Sequence, residues 1–159
     1  MTGGFRARPT AAPFVARLAI LVLTATTVSA ATPDDITGIW KTQGGDSHLE
    51  LTRKGTTISG RIVWLKSPNY RSSKDGPLGT GKTDRRNPDP TLRSRSIIGL
   101  QVMQGFVPTG RNQWGNGTCY NPESGKSYRC RMRLTAPGRL DLRGYVGLPA
   151  FGRSFSLSR

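Results

Sequence analysis

The carboxylates best placed for acid–base chemistry lie in one polar segment, at Asp84 and Asp89. Two carboxyl groups can share acid–base work when their surroundings push their pKa values apart. The arginines of the same segment favour ionised carboxylates that are held in salt bridges and turn caps. We therefore predict structural roles in this segment, and an enzyme built on the two aspartates is the alternative. The residues given these roles are Asp84, Asn87, Asp89 and Arg93.

Other catalytic and metal chemistry lacks its usual residues. His48 is the only histidine, and the chain has two cysteines, Cys119 and Cys130, which are too far apart for a CxxC pair. Zinc sites and Ser-His-Asp or Cys-His catalysis need more such groups. No phosphate loop or dinucleotide fingerprint is present. We predict a protein that is not an enzyme and holds no metal or cofactor.

The two cysteines flank a strong hairpin signal around Ser124 and Gly125. A two-residue turn there would place Cys119 opposite Cys130 on adjacent strands. Because exported proteins meet an oxidising compartment, we predict a disulfide between them.

The charge is strongly basic, with 24 Lys and Arg against nine Asp and Glu, a net charge of +15. A basic balance can indicate nucleic-acid binding, but the arginines alternate along strands without exposed aromatic residues for base stacking. We predict no nucleic-acid partner. An anionic envelope surface is one interpretation of the charge, and simple solubility is the other.

Period-two alternation dominates the chain after its first thirty residues. Apolar residues make up 35% of the sequence, and Gly and Pro are frequent. This composition favours an antiparallel sheet with one solvent-exposed face over a helical bundle. The predicted strands cover residues 36–42, 47–53, 57–64, 96–106, 113–120, 128–134, 140–146 and 151–158.

One long polar connection, residues 67–95, interrupts this series, and residues 89–93 within it could form one helical turn. Consecutive hairpins favour an all-β, eight-stranded, antiparallel up-and-down barrel, which has no open edges.

The N-terminus has the pattern of a secretory signal peptide over residues 1–30. Three arginines precede a short apolar core, residues 18–23, and Ala30 ends a small-residue cleavage site. The core is too short for a membrane span, and an uncleaved anchor is the alternative. We predict an exported, periplasmic or secreted protein whose barrel domain spans residues 31–159.

Arg153 is the strongest lead toward function. Alternation places it on the inward face of the last strand, where a buried guanidinium needs a partner. That partner is either an interior acidic group or backbone carbonyls, or the carboxylate or phosphate head of an amphipathic ligand. Tyr128 and Trp64 are the other predicted ligand contacts, each on an inward face.

The sequence resembles the domain-of-unknown-function 2147 family of exported bacterial proteins. Segments in family order carry the resemblance: 38–40 (GIW), 60–64 (GRIVW), 83–90 (TDRRNPDP), 93–95 (RSR), 98–100 (IGL), 120–128 (YNPESGKSY), 142–147 (LRGYVG) and 151–153 (FGR). The resemblance implies a small lipocalin-like barrel that is made with a signal peptide and has no established catalytic activity.

The segment from Gly38 to Trp40 also resembles the opening motif of lipocalins, in which the tryptophan closes the barrel floor. In a closed meander the last strand returns to the first, so Arg159, or alternatively Arg153, is expected to cover the Trp40 indole. We predict that the barrel binds a small apolar or amphipathic ligand resembling a lipid or fatty acid. The alternatives are an envelope-associated structural protein with a packed interior and a polyanion-binding module.

Overall fold

Eight strands form where the alternation of apolar residues predicts them. The structure is a computed structural model that describes Met1, residues 35–147, residue 150 and residues 152–159. The strands are β1 (Gly38–Thr42), β2 (Ser47–Lys54), β3 (Thr57–Leu65), β4 (Gln101–Gly110), β5 (Gln113–Asn121), β6 (Lys126–Ala136), β7 (Arg139–Tyr145) and β8 (Arg153–Ser158). Apart from Met1, the predicted signal peptide lies outside the described residues.

The strands form one closed barrel. Each pairs antiparallel with the next, and β8 pairs back to β1 through Lys41 opposite Ser158 and Thr42 opposite Leu157. The predicted eight-stranded up-and-down barrel is therefore confirmed. No helix within the described residues is long and apolar enough to span a membrane.

Strand β6 shows how the sequence divides inside from outside. Cys130, Met132 and Leu134 are buried and alternate with three exposed arginines. Apolar side chains from the other strands join them in one core, because alternate residues of each strand point into the barrel. The outer wall is thereby left polar and basic.

Trp40 closes one end of the barrel. It is fully buried, and its indole Nε1 donates a 2.8 Å hydrogen bond to the carbonyl of Ile36. The Arg159 guanidinium carbon lies 4.4 Å from the centroid of the Trp40 ring, so Arg159 rather than Arg153 covers the indole. The same guanidinium donates to the backbone carbonyls of Asp35 and Thr37, at 2.9 and 2.8 Å. Gly38 enters β1 with φ of 105°, a backbone conformation that favours glycine.

Replacing Arg159 with Met should destabilise this floor. The variant loses the cation–π contact and both hydrogen bonds to the N-terminal segment, so we expect the free energy of unfolding to fall by about 1–3 kcal/mol. Urea unfolding measures the change. Arg129→Met, on the outer face of β6, is the control and should shift stability by less than about 0.5 kcal/mol. Equal stability of Arg159→Met and the wild-type protein would show that the last residue does not seal the barrel.

The long connection differs from its predicted bounds. Strand β4 begins at Gln101, so residues 96–100 belong to the connection. An isolated antiparallel β-bridge between Thr83 and Ser96 links two parts of this connection. Pro90–Leu92 forms a single 3-10 turn, as residues 89–93 predicted. Arg95 donates its backbone N–H to Leu92, which carries the chain on from that turn toward β4.

The turn between β5 and β6 is longer than predicted. Asn121 pairs with Lys126, so four residues form the connection instead of two. This register places Tyr128 opposite Cys119 and Gly117 opposite Cys130. The cysteines are therefore diagonal neighbours across the two strands, which corrects the prediction that they stand directly opposite each other.

Candidate ligand-binding site

A cavity of about 660 Å³ opens at the end of the barrel opposite Trp40. Its volume falls within the range of about 300–1,000 Å³ that is usual for small-molecule sites. The wall deep in the barrel is apolar because inward-facing side chains of β2, β3, β4 and β7 converge there. These residues are Leu49, Ile62, Val102, Met103 and Leu142.

The rim of the cavity carries polar and aromatic groups. Arg153, Tyr128, Tyr145 and Phe155 line it together with the turn between β5 and β6. Arg153 is exposed and makes no ion pair or hydrogen bond to any described residue. The prediction that Arg153 is buried was therefore wrong, because β8 begins at this residue, at the mouth. Its guanidinium is in reach of solvent and of any group held at the rim.

Trp64 does not line the cavity. It is 41% exposed and stacks on His48, with the ring centroids 4.4 Å apart. A register irregularity between His48 and Leu49 lets Leu49 pair with Ile62 while His48 pairs with Trp64. This bulge breaks strict alternation along β3, so the prediction of Trp64 as a ligand contact was wrong.

Cys119 and Cys130 lie side by side in the cavity wall. The pair is 2.7 Å apart and both cysteines are free, so the predicted disulfide is not formed in the structure. The Cys119 thiol and its backbone N–H donate toward the Cys130 sulfur, and they lower the pKa of Cys130. The same hydrogen bond, with burial and the neighbouring sulfur, raises the pKa of Cys119.

The two thiols should ionise at different pH values, Cys130 before Cys119. We expect both thiols to be free in the purified protein, and labelling of Cys130 by iodoacetamide to rise with pH around a pKa below that of an ordinary thiol. The pKa is lowered because the hydrogen bonds stabilise the Cys130 thiolate. Labelling rates measured by mass spectrometry from pH 6 to 10 test this (a range spanning the usual thiol pKa of about 8.5). Thiols that appear only after reduction would contradict it.

Asp84 fastens the long connection to the barrel beside the cavity. It is fully buried and accepts hydrogen bonds from Tyr120 Oη (2.5 Å), Asn87 Nδ2 (2.7 Å) and Arg95 (3.0 Å). Tyr120 also lines the cavity, so this contact joins the connection to the rim. Partial burial and the bond to Asp84 raise the pKa of Tyr120 to about 12. Sequence reasoning missed Tyr120 because its partner lies far away along the chain.

Asn87, Asp89 and Arg93 complete the support of this connection. The Asn87 side-chain oxygen accepts from the Asp89 backbone N–H, and the Asn87 carbonyl accepts from Arg93 Nε at 2.8 Å. Asp89 caps the 3-10 turn, and hydrogen bonds from the side chain and backbone of Thr91 lower its pKa. Neither Asp84 nor Asp89 lines the cavity, so the two carboxylates do not face one pocket as the enzyme alternative requires.

The turn between β5 and β6 packs directly against this connection. Gly125 has φ of 68°, and a side chain there would overlap the backbone carbonyl of Arg86. Glycine is therefore required both by the backbone conformation and by the contact. The turn lines the cavity mouth through Pro122, and the connection packs against this turn.

A closed barrel with a floor tryptophan and an open internal cavity defines a lipocalin-like protein. The chain belongs to the family described as an uncharacterized protein conserved in bacteria (DUF2147), whose sequence profile matches residues 38–159. This confirms the family resemblance drawn from the motifs.

Among solved structures the chain is similar to protein HP1028 from Helicobacter pylori, which is described as belonging to the lipocalin family. The two share 25% identity and a TM-score of 0.65 over 79% of this chain and 82% of that one. A redesigned β-barrel matches with 11% identity and a TM-score of 0.39, over 77% and 90% of the two chains. No curated protein sequence matches.

Proposed function

We propose that the barrel binds one amphipathic small molecule, whose apolar tail enters the cavity and whose anionic head meets Arg153. The observation that carries this proposal is an exposed guanidinium, without a partner among the described residues, at the rim of an apolar cavity. A bidentate carboxylate or phosphate satisfies such a group well. The cavity also argues against the alternative of a fully packed barrel.

The chemistry of the wall favours a tail of modest size. The deep lining is aliphatic and sulfur-containing, and adaptable sulfur side chains such as Met103 fit irregular apolar ligands. Burying each methylene of a tail contributes about 0.8 kcal/mol. The tail therefore supplies most of the affinity, and the rim supplies the preference for an acid. Tyr128, half-buried at the rim, offers a hydroxyl to the same head group.

We also propose that the protein acts outside the cytoplasm, after removal of residues 1–30. The arginine-rich, apolar and small-residue pattern of this segment supports export. The N-terminal sequence of protein recovered from the expressing bacterium tests it, and we expect it to begin at Ala31. An intact Met1 in the recovered protein would contradict export with cleavage.

Arg153→Met tests the role of the rim. We expect the variant to bind dodecanoate at least about tenfold more weakly than the wild type, because one charge-assisted contact is lost. Its stability should change little, since Arg153 has no partner to leave unpaired in the described structure. Calorimetric titration measures the affinity, and urea unfolding the stability.

Arg129→Met is the matched control. Arg129 lies on β6 next to Tyr128 but on the outer face, so its loss removes the same charge near the same end of the barrel. It should leave dodecanoate affinity within about threefold of wild type, because screened surface charges act weakly at this distance. Equal losses in the two variants would mean that overall charge, and not the rim, attracts the ligand.

A further inference from the structure

The outer wall of the barrel carries a concentrated basic face. Arg129, Arg131 and Arg133 point outward from β6, and β7 adds Arg139 and Arg143. The register sets Arg131 directly opposite Arg143, although like charges in cross-strand pairs are destabilising. A multiply charged anion bound beside both arginines would offset this repulsion between adjacent strands.

The carboxylate on this face is already engaged. Asp141 contacts Arg139 at 3.6 Å and accepts a 2.8 Å hydrogen bond from Ser156 Oγ. Arg131 and Arg133 make no ion pair or hydrogen bond to any described residue. Arg143 is held in place by hydrogen bonds to Ser154 Oγ (3.1 Å) and to the carbonyl of Ala150 (2.9 Å).

Arg131, Arg133 and Arg143 border a groove of about 440 Å³ on the outside of the barrel. A register irregularity in β5 between Trp114 and Gly117, with Asn116 at φ of 60°, shapes its other side. Bulges of this kind redirect side chains and often lie beside functional sites. Among the described residues, Tyr145 is the one that lines both this groove and the ligand cavity inside the barrel.

The remaining lining of the groove is mixed, because Trp114, Gly115 and Met132 border it together with polar side chains. Thr109, Gln113 and Asn116 present hydroxyl and amide groups, and Tyr145 adds an aromatic ring at one end. The large apolar side chains that are exposed elsewhere, such as Ile39, Leu78 and Ile98, do not line it. Amide and hydroxyl groups beside guanidinium groups match sugar hydroxyls beside oxyanions, whereas insertion into a bilayer needs exposed apolar side chains.

We propose that this groove is a second binding site, which takes a saccharide carrying two or more phosphate or sulfate groups. Arg131, Arg133 and Arg143 hold the oxyanions, and the amides of Gln113 and Asn116 bind the sugar hydroxyls. None of these five side chains lines the cavity, so the two sites can be tested separately.

The test uses sucrose octasulfate, a compact polyanionic saccharide, with sucrose as the neutral control. We expect one molecule to bind per chain and sucrose not to bind. The double variant Arg131→Gln/Arg133→Gln should lower the affinity at least about tenfold, because two charge-assisted contacts are lost. Its affinity for dodecanoate should be unchanged, which shows that the barrel is intact.

The matched control removes the same charge elsewhere. Arg71 and Lys74 are exposed in the long connection and do not line the groove, so Arg71→Gln/Lys74→Gln should cost less than about threefold in affinity. Equal losses in both double variants would overturn the proposal in favour of general charge attraction. Binding to phosphatidylglycerol vesicles but not to sucrose octasulfate would overturn it in favour of a bilayer surface.

Discussion

Asp84→Ala is expected to lower the free energy of unfolding by about 3–5 kcal/mol, the usual cost of breaking a buried charged network. The carboxylate is fully buried and accepts three side-chain hydrogen bonds. Its removal leaves the Tyr120 hydroxyl and the Asn87 amide without their acceptor, and each such loss is costly. The long connection then loses its attachment to the cavity rim.

Asp89→Ala is the control for this experiment. Asp89 belongs to the same connection and makes capping hydrogen bonds, but it is exposed, so its loss should cost about 1 kcal/mol. Urea unfolding of the two variants and the wild type gives the comparison. If the two aspartates proved equally costly, the connection would not depend on the buried network.

Tyr120 makes the attachment sensitive to alkali. Its pKa is raised to about 12 in the folded protein, from an ordinary value of 10.0. The stabilisation from the neutral hydroxyl is therefore complete below pH 10 and is lost as the pH rises toward 12. The Tyr120→Phe variant has no hydroxyl to ionise, so its stability should fall less than that of the wild type as the pH rises from 10 toward 12.

Leu142→Trp should abolish most ligand binding while the barrel stays folded. Leu142 is buried on β7 and faces the cavity, so a larger side chain occupies the space that the tail requires. We expect dodecanoate affinity to fall at least about tenfold, through direct overlap. Because the new side chain enters an existing cavity, the destabilisation should stay below the roughly 1–3 kcal/mol of an overpacked core.

Leu142→Val changes the same position in the opposite direction. It enlarges the cavity, so dodecanoate should still bind, with a modest loss of contact. Calorimetric titration of both variants gives the affinities, and circular dichroism checks the strands. Unchanged affinity in Leu142→Trp would place the ligand outside the barrel.

Alternation predicted the barrel because the inside and outside of a strand differ at every residue. Strand β6 shows this most clearly, with apolar Cys130, Met132 and Leu134 inside and arginines outside. The sequence also predicted closure of the barrel and the position of Trp40 at its floor, since a meander of eight strands brings β8 beside β1. These features depend on local patterns that the residue types carry directly.

Other features depend on distances along the barrel that alternation does not encode. Arg153 faces the cavity but lies at its mouth, and depth is set by where β8 begins. Trp64 turns away because of one bulge, and the cysteines are diagonal because the turn has four residues. The contact between Tyr120 and Asp84 joins segments that are distant in sequence, so no local pattern predicts it.

One paired titration tests directly whether the cavity binds an amphipathic acid. Dodecanoate and dodecyltrimethylammonium have the same tail and opposite head charges. We predict that dodecanoate binds one to one and at least about tenfold more tightly than the cation, because only the acid satisfies Arg153. Equal affinities for the two, or no binding of either to the wild-type protein, would show that the cavity is not a site for amphipathic acids.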